Sequence, residues 1–416
     1  MSNANQPAPP GRDPARRPCA ALAAAAMLAS GAATAADWHV NPRVELTGLY
    51  DDNYSLLPPA SAISVSGGQL GAQLGIVAHT PRTDFTLTPL VTSRYFPGEH
   101  EFNSTDGQVA ALLHHAWQKT NLTLNADYIN QSVFANELPN AVVPGGGQGG
   151  AGNGDSGRIV ADNRQRLYHV SAQLAQRLGQ RSNFEASAGY VSADYAHQIP
   201  GAQLDYRNGD GYVGFAYDAT QSDTLRIGAV AEQYHTDSAT LSSSHTDGVR
   251  AEWARRMTQT LRGYLRVGGA RTSYDQPATG AKPASASNVT YGAGLRGSYQ
   301  VTEVYLDASR SIEPNGTGFL VRRDQLQLNV TRQFRPLVYG SIGLLGISDA
   351  ATGGVGAASF ENRHYATGYL QLERRFTRAW SMNGRYAYSW QSFSGETSDR
   401  RGNRFYLGVV YEAGRP

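Results

Sequence analysis

The sequence predicts a transmembrane antiparallel up-and-down β-barrel of about eighteen strands, with short periplasmic turns and long extracellular loops. Three observations predict it. Apolar and polar residues alternate with a period of two along most of the 416 residues, the pattern of strands that wet one face only. Beyond the N-terminus there is no apolar run of the roughly 18 residues a membrane helix needs, which excludes a helical membrane protein. Charged residues make up only 17% of the chain, with 46 Gly and 23 Tyr, whereas an ordinary soluble domain is about 25% charged. The 19 Pro and 46 Gly together are too few for a disordered low-complexity chain.

Residues 1–36 read as a signal peptide. Arg12, Arg16 and Arg17 form its basic region, Cys19 to Ser30 its apolar stretch, and Ala33-Thr34-Ala35 its cleavage site, cut after Ala35 or Ala36. The only cysteine, Cys19, leaves with this leader. The mature chain then enters an oxidising space without a disulfide, and a closed hydrogen-bonded barrel is one source of the stability it needs. Removing three arginines and one aspartate leaves residues 37–416, a single barrel domain, with no net charge. Nucleic-acid binding loses its main support. Lys119 and Lys282 are the only lysines, so positive charge is almost all guanidinium.

Strand-like runs open near residues 43, 68, 83, 105, 119, 163, 180, 207, 222, 244, 259, 288, 301, 323, 335, 363, 378 and 402. Each has about 9–14 residues, enough for a tilted strand to cross a bilayer. In 121–128, Leu122, Leu124, Ala126 and Tyr128 alternate with Asn121, Thr123, Asn125 and Asp127. In 184–190, Phe184, Ala186, Ala188 and Tyr190 oppose Glu185, Ser187 and Gly189. Val304, Leu306 and Ala308 oppose Tyr305, Asp307 and Ser309; Leu326, Leu328 and Val330 oppose Gln327, Asn329 and Thr331. Trp380, Met382, Tyr386, Tyr388 and Trp390 share one face of 380–391, and Phe405, Leu407, Val409 and Tyr411 point outward in the last run.

Alternation alone also fits a soluble sandwich. The connections decide. Eight short links (79–83, 117–120, 178–183, 218–223, 257–260, 299–303, 333–336, 376–379) alternate strictly with nine longer ones (51–67, 97–105, 131–162, 195–206, 235–245, 273–287, 313–323, 349–362, 393–402). That rhythm is an outer-membrane barrel with both termini in the periplasm. Hydrocarbon leaves no solvent partner for N–H and C=O groups, so a β-chain must close on itself there. Tyr95, Phe96, Trp117, Tyr128, Phe134, Tyr190, Tyr274, Trp380 and Trp390 are expected at the headgroup girdles, with core packing as the alternative.

A barrel this wide leaves an aqueous lumen. The alternation turns Arg226, Arg250, Arg256, Arg262, Arg266 and Arg296 inward, with Glu232 and Glu252 among them. Asp127, Glu185, Asp307, Glu373, Arg385 and Arg404 face inward in other sectors. The candidate lumen-lining residues are Arg226, Arg250, Arg256, Arg262, Arg266, Arg296, Asp307 and Arg385. Two readings stand: guanidinium contacts to a passing anion, or charge pairs that stiffen the wall. The longest loop, 131–162, contains Gly145–Gly150, so it either constricts the pore or stays mobile outside, which its composition favours.

No catalytic, metal or cofactor residues emerge, and no cofactor is expected. The Gly-rich stretches lack a following Gly-Lys-Ser/Thr. His114 and His115 point to opposite faces, so they cannot chelate together. Ser93 and His115 fall on outward faces of neighbouring strands, too little for a barrel phospholipase.

The mature chain opens Asp37-Trp38-His39-Val40-Asn41-Pro42-Arg43, and its first strand ends in Tyr50-Asp51-Asp52-Asn53-Tyr54. This layout resembles the β-barrel porin-2 family of proteobacterial outer-membrane proteins, which often accompany exopolysaccharide genes. The resemblance implies passage of a secreted polysaccharide, together with a periplasmic polysaccharide-export protein as partner. The expected role is therefore a passive conduit in a Gram-negative outer membrane, with exopolysaccharide export first and a general or small-solute diffusion porin second. A structural or adhesive barrel is third. Expected partners are outer-membrane lipids, lipopolysaccharide and an anionic polysaccharide.

Overall fold

The computed structural model describes residues 36–133, 163–197, 203–236, 243–275, 284–314, 320–352 and 361–413. Eighteen strands carry the chain back and forth. They are β1 (Asp37–Asp51), β2 (Val65–His79), β3 (Thr83–Tyr95), β4 (Ser104–Ala116), β5 (Thr120–Ser132) and β6 (Arg164–Arg177). Next come β7 (Ser182–Tyr195), β8 (Tyr206–Asp218), β9 (Asp223–Thr236), β10 (Ser243–Arg256), β11 (Leu261–Asp275) and β12 (Ala284–Tyr299). The last six are β13 (Thr302–Pro314), β14 (Leu320–Arg335), β15 (Val338–Ala351), β16 (Arg363–Arg375), β17 (Trp380–Phe393) and β18 (Arg400–Glu412).

Each strand pairs antiparallel with its sequence neighbours, and β1 also pairs with β18, so the sheet is a closed barrel. At this seam Val44 lies opposite Tyr411 and Tyr50 opposite Phe405. Strands about 4.8 Å apart and tilted about 40° give eighteen strands a backbone radius of about 18 Å, too wide for side chains to fill. The short links are tight hairpins, as in the 2.8 Å bonds from Thr80 N to Thr83 O and from Trp117 N to Thr120 O.

β1 starts six residues before the run expected from residue 43. Trp38 and Val40 continue its outward stripe, and Pro42 hides the continuation because it has no N–H to give to a ladder. The β1–β18 pairing begins one residue later, at Arg43.

Registration carries one parity around the whole ring. Leu265 lies opposite Trp253 and Ala293, Leu306 opposite Leu295 and Leu328, and Leu407 opposite Gly48 and Gly384. This set is the exposed one: Leu46, Ile227, Val249 and Leu407 are all at least 60% accessible. It forms the apolar outer band. Leu112 is an exception, exposed yet in register with Thr86 of the opposite, inner face.

Two expected girdle aromatics turn the other way. Tyr274 is on the inner parity of β11 and is buried with Leu167, Ala193, Tyr206, Tyr234 and Leu320 beneath the outer mouth. Its hydroxyl lies 2.6 Å from Thr352 Oγ1. Phe96 packs inward with Leu49, Tyr54, Val65 and Phe102. Both followed from the alternation of their own strands, which an aromatic count at strand ends overlooks. Tyr95, Trp117, Tyr190 and Trp380 are exposed. Phe134 and residues 134–162 of the longest loop lie outside the described residues, as do residues 1–35 of the expected signal peptide.

Candidate functional site

The inner wall is built on glycine. Tyr264 of β11 lies flat across Gly294 of β12, and its hydroxyl donates to Asp307 of β13. The three are neighbours in one lateral row, Tyr264–Gly294–Asp307. A Cβ on Gly294 would sit 2.3 Å from the Tyr264 ring, which is why this position excludes side chains. Tyr212 lies in the same way against Gly214 and Gly228, and the Arg250 guanidinium covers it 4.3 Å from the ring centroid. Arg266 leans over Tyr264 at 5.7 Å. Guanidinium over a ring face is a favourable cation–π pair.

All eight candidate lumen-lining residues lie on this inner parity, but their surroundings divide them. Arg226 is committed: its Nε donates to Glu185 at 3.2 Å and its Nη1 to Glu252 at 2.8 Å. Asp307 accepts from Tyr264. Arg385 stacks over Tyr369 at 4.4 Å and Tyr406 at 5.8 Å. These contacts fit a stiffened wall. Arg256, Arg262 and Arg296 differ: they are exposed, and no carboxylate pairs with them among the described residues. Arg256 is opposite Arg262, and Arg262 opposite Arg296.

The first outer loop is a second part of the site. Residues 51–54 pin it to the barrel seam. Asp51 accepts from Arg404 Nε and, at 2.9 Å, from Asn53 N. Asp52 takes two 2.6 Å bonds from Asn403, one from its N and one from its Nδ2. Asn53 Nδ2 donates to Arg401 O at 2.9 Å and to Leu57 O at 2.8 Å. The chain then runs inside the barrel. Leu56 is 3% exposed and packs on Leu345 and Tyr365 of the inner wall. Its φ of 49° is left-handed, a conformation costing about 1–2 kcal/mol for an L residue that the buried side chain offsets. At Gly402 a Cβ would meet Asn53 O at 3.3 Å and Leu56 Cδ1 at 3.4 Å, so the loop backbone rests on β18 there.

Sequence reasoning missed this inward course. The signal was available in the polar cluster Asp51-Asp52-Asn53, too rich in acceptors for a strand end facing lipid. It also missed a buried fork in which Arg323 Nε and Nη2 donate to Asp349 at 2.7 and 3.0 Å while Nη1 donates to Glu313 at 2.8 Å. Arg322 and Arg323 are adjacent, and the sequence alone does not say which one turns inward.

Ser93 and His115 are both on the outer parity but at opposite ends of the wall. Ser93 is opposite Thr105 near the end of β3, and His115 is opposite Thr83 at its start. His114 contacts Thr123 Oγ1 at 3.2 Å and His115 contacts Thr83 Oγ1 at 2.8 Å, from opposite faces. Among the described residues, no three His, Cys, Asp or Glu side chains are grouped to hold a metal ion.

No family model matches the chain, and no curated protein matches it. Among solved structures it is similar to OccAB2 of Acinetobacter baumannii, at 13% identity and TM-score 0.45, over 90% of this chain and 98% of that one. It is also similar to the outer membrane protein OpdK of Pseudomonas aeruginosa, at 12% identity and TM-score 0.44, over 90% and 99%. A third is the ferric citrate transporter FecA, at 10% identity and TM-score 0.44, over 89% of this chain and 64% of that one.

Proposed function

We propose that this barrel is a passive outer-membrane channel for small hydrophilic solutes, with Arg226, Arg250, Arg256, Arg262, Arg266, Arg296, Asp307 and Arg385 lining its lumen. One observation carries the reading: a closed eighteen-stranded ring whose parity puts the apolar set outside and the polar set inside. Such a ring satisfies its backbone in lipid and encloses water. The inward-folded first loop takes up space along β15–β18 and so favours small solutes over a polymer chain. Export of an exopolysaccharide rests on the family resemblance alone.

Planar-bilayer recording tests the channel, with stepwise chloride currents expected. A folded, inserted barrel that never conducts would leave the adhesive or structural reading. A deletion strain separates the transport readings. Normal polymer secretion with altered uptake of small hydrophilic compounds is expected, whereas polymer trapped in the periplasm would point to export.

A further inference from the structure

We propose that Arg256, Arg262 and Arg296 form a binding site for a small anion carrying two or more charged oxyanion groups, placed where the lumen opens to the periplasm. The site deepens the channel reading and rests on the same inner face. The three residues stand side by side on β10, β11 and β12, near the strand ends that join the periplasmic turns. Paired residues on adjacent antiparallel strands are about 5 Å apart, so the backbones that carry the three guanidiniums span about 10 Å of wall. Like charges directly opposite each other destabilise a sheet. Arg226 has Glu185 and Glu252, and Arg404 has Asp51, while Arg250, Arg266 and Arg385 lie over aromatic rings. Among the described residues, the row of three has neither kind of partner. On β13, Arg296 is opposite Tyr305, which brings no negative charge. Two residues away on either side of Tyr305, Glu303 is opposite Ser298 and forms no ion pair with Arg296 among the described residues, and Asp307 accepts from the Tyr264 hydroxyl.

A guanidinium presents its donors as a planar fork that engages two oxyanion oxygens at once. Three forks in a line match a ligand with several anionic oxygens, whereas a single carboxylate leaves two of them unused. The row is exposed, so a ligand reaches it without unfolding anything.

The test uses the full chain extracted from membranes in detergent, titrated calorimetrically at low ionic strength. Inorganic pyrophosphate is the probe and acetate the single-charge control. Pyrophosphate is expected to bind at least about tenfold more tightly than acetate, and Arg262→Gln to weaken it about tenfold. Arg181→Gln, in another periplasmic turn, is expected to leave it unchanged. Heat-modifiable migration of each variant confirms a folded barrel. Equal pyrophosphate affinity in Arg262→Gln and the unaltered chain would overturn the site, as would acetate binding equally well. The bilayer current is read separately. A chain that binds pyrophosphate through Arg262 but passes no current keeps the site and loses the channel; one that conducts without Arg262-dependent binding loses the site.

Discussion

Gly294 shows how a single absent side chain organises the wall. It lets Tyr264 cross a whole strand and reach Asp307, so that a lumen carboxylate is occupied by a phenol. Gly294→Val is expected to push the ring aside, at about 1–3 kcal/mol for overpacking. It should also release Asp307 to the lumen, which a shift of reversal potential toward cations would register. An unshifted potential would mean that Asp307 does not face the ion path. Tyr54, in the first outer loop, offers a pH probe. Burial holds its hydroxyl above the ordinary phenol value. Its folded pKa is raised, so the associated stability is complete below about pH 10 and is lost as pH rises through the raised value. Tyr54→Phe is therefore expected to make unfolding less sensitive to alkali above pH 10. An identical alkaline profile in the variant would assign that sensitivity to another tyrosine.

The strand is the scale at which the sequence was most readable. Every strand begins within six residues of its expected start, because a period of two survives wherever one face meets lipid and the other water. What stayed hidden depends on contacts between distant segments. The alternation put Arg226 and Arg262 on one face but did not say that Glu185, two strands from Arg226, would claim the first and leave the second free. The composition was visible, but the pairing of Gly with Tyr across strands needs the register. Leu328 and Asn329 test the face assignment itself. Leu328 is opposite Leu306 and Leu344, whereas Asn329 Oδ1 accepts from the Tyr369 hydroxyl at 3.2 Å on the inner side. Leu328→Arg is expected to cost about 2–4 kcal/mol near the bilayer midplane, and Asn329→Arg to be tolerated. Chemical unfolding in lipid vesicles measures both, and equal losses would contradict the parity.

For the molecule as a whole, near-zero net charge hides an uneven distribution. The free arginines concentrate on β10–β12, while the first loop occupies the β15–β18 side. In the proposed channel, ions passing opposite the loop meet this basic wall. A low-dielectric enclosure focuses such a field on passing ions, and across a Debye length of about 10 Å at 0.1 M salt the row acts on much of the remaining passage. Removing the constriction and reversing the charge should therefore have separable effects. Gly402→Val places bulk where Asn53 O and Leu56 already touch, so it is expected to dislodge the loop and raise single-channel conductance while the preference for anions persists. Arg262→Glu with Arg266→Glu leaves the loop in place and should move the reversal potential toward cations at nearly constant conductance. If the two variants changed conductance and selectivity together, loop and arginine wall would act on the same constriction.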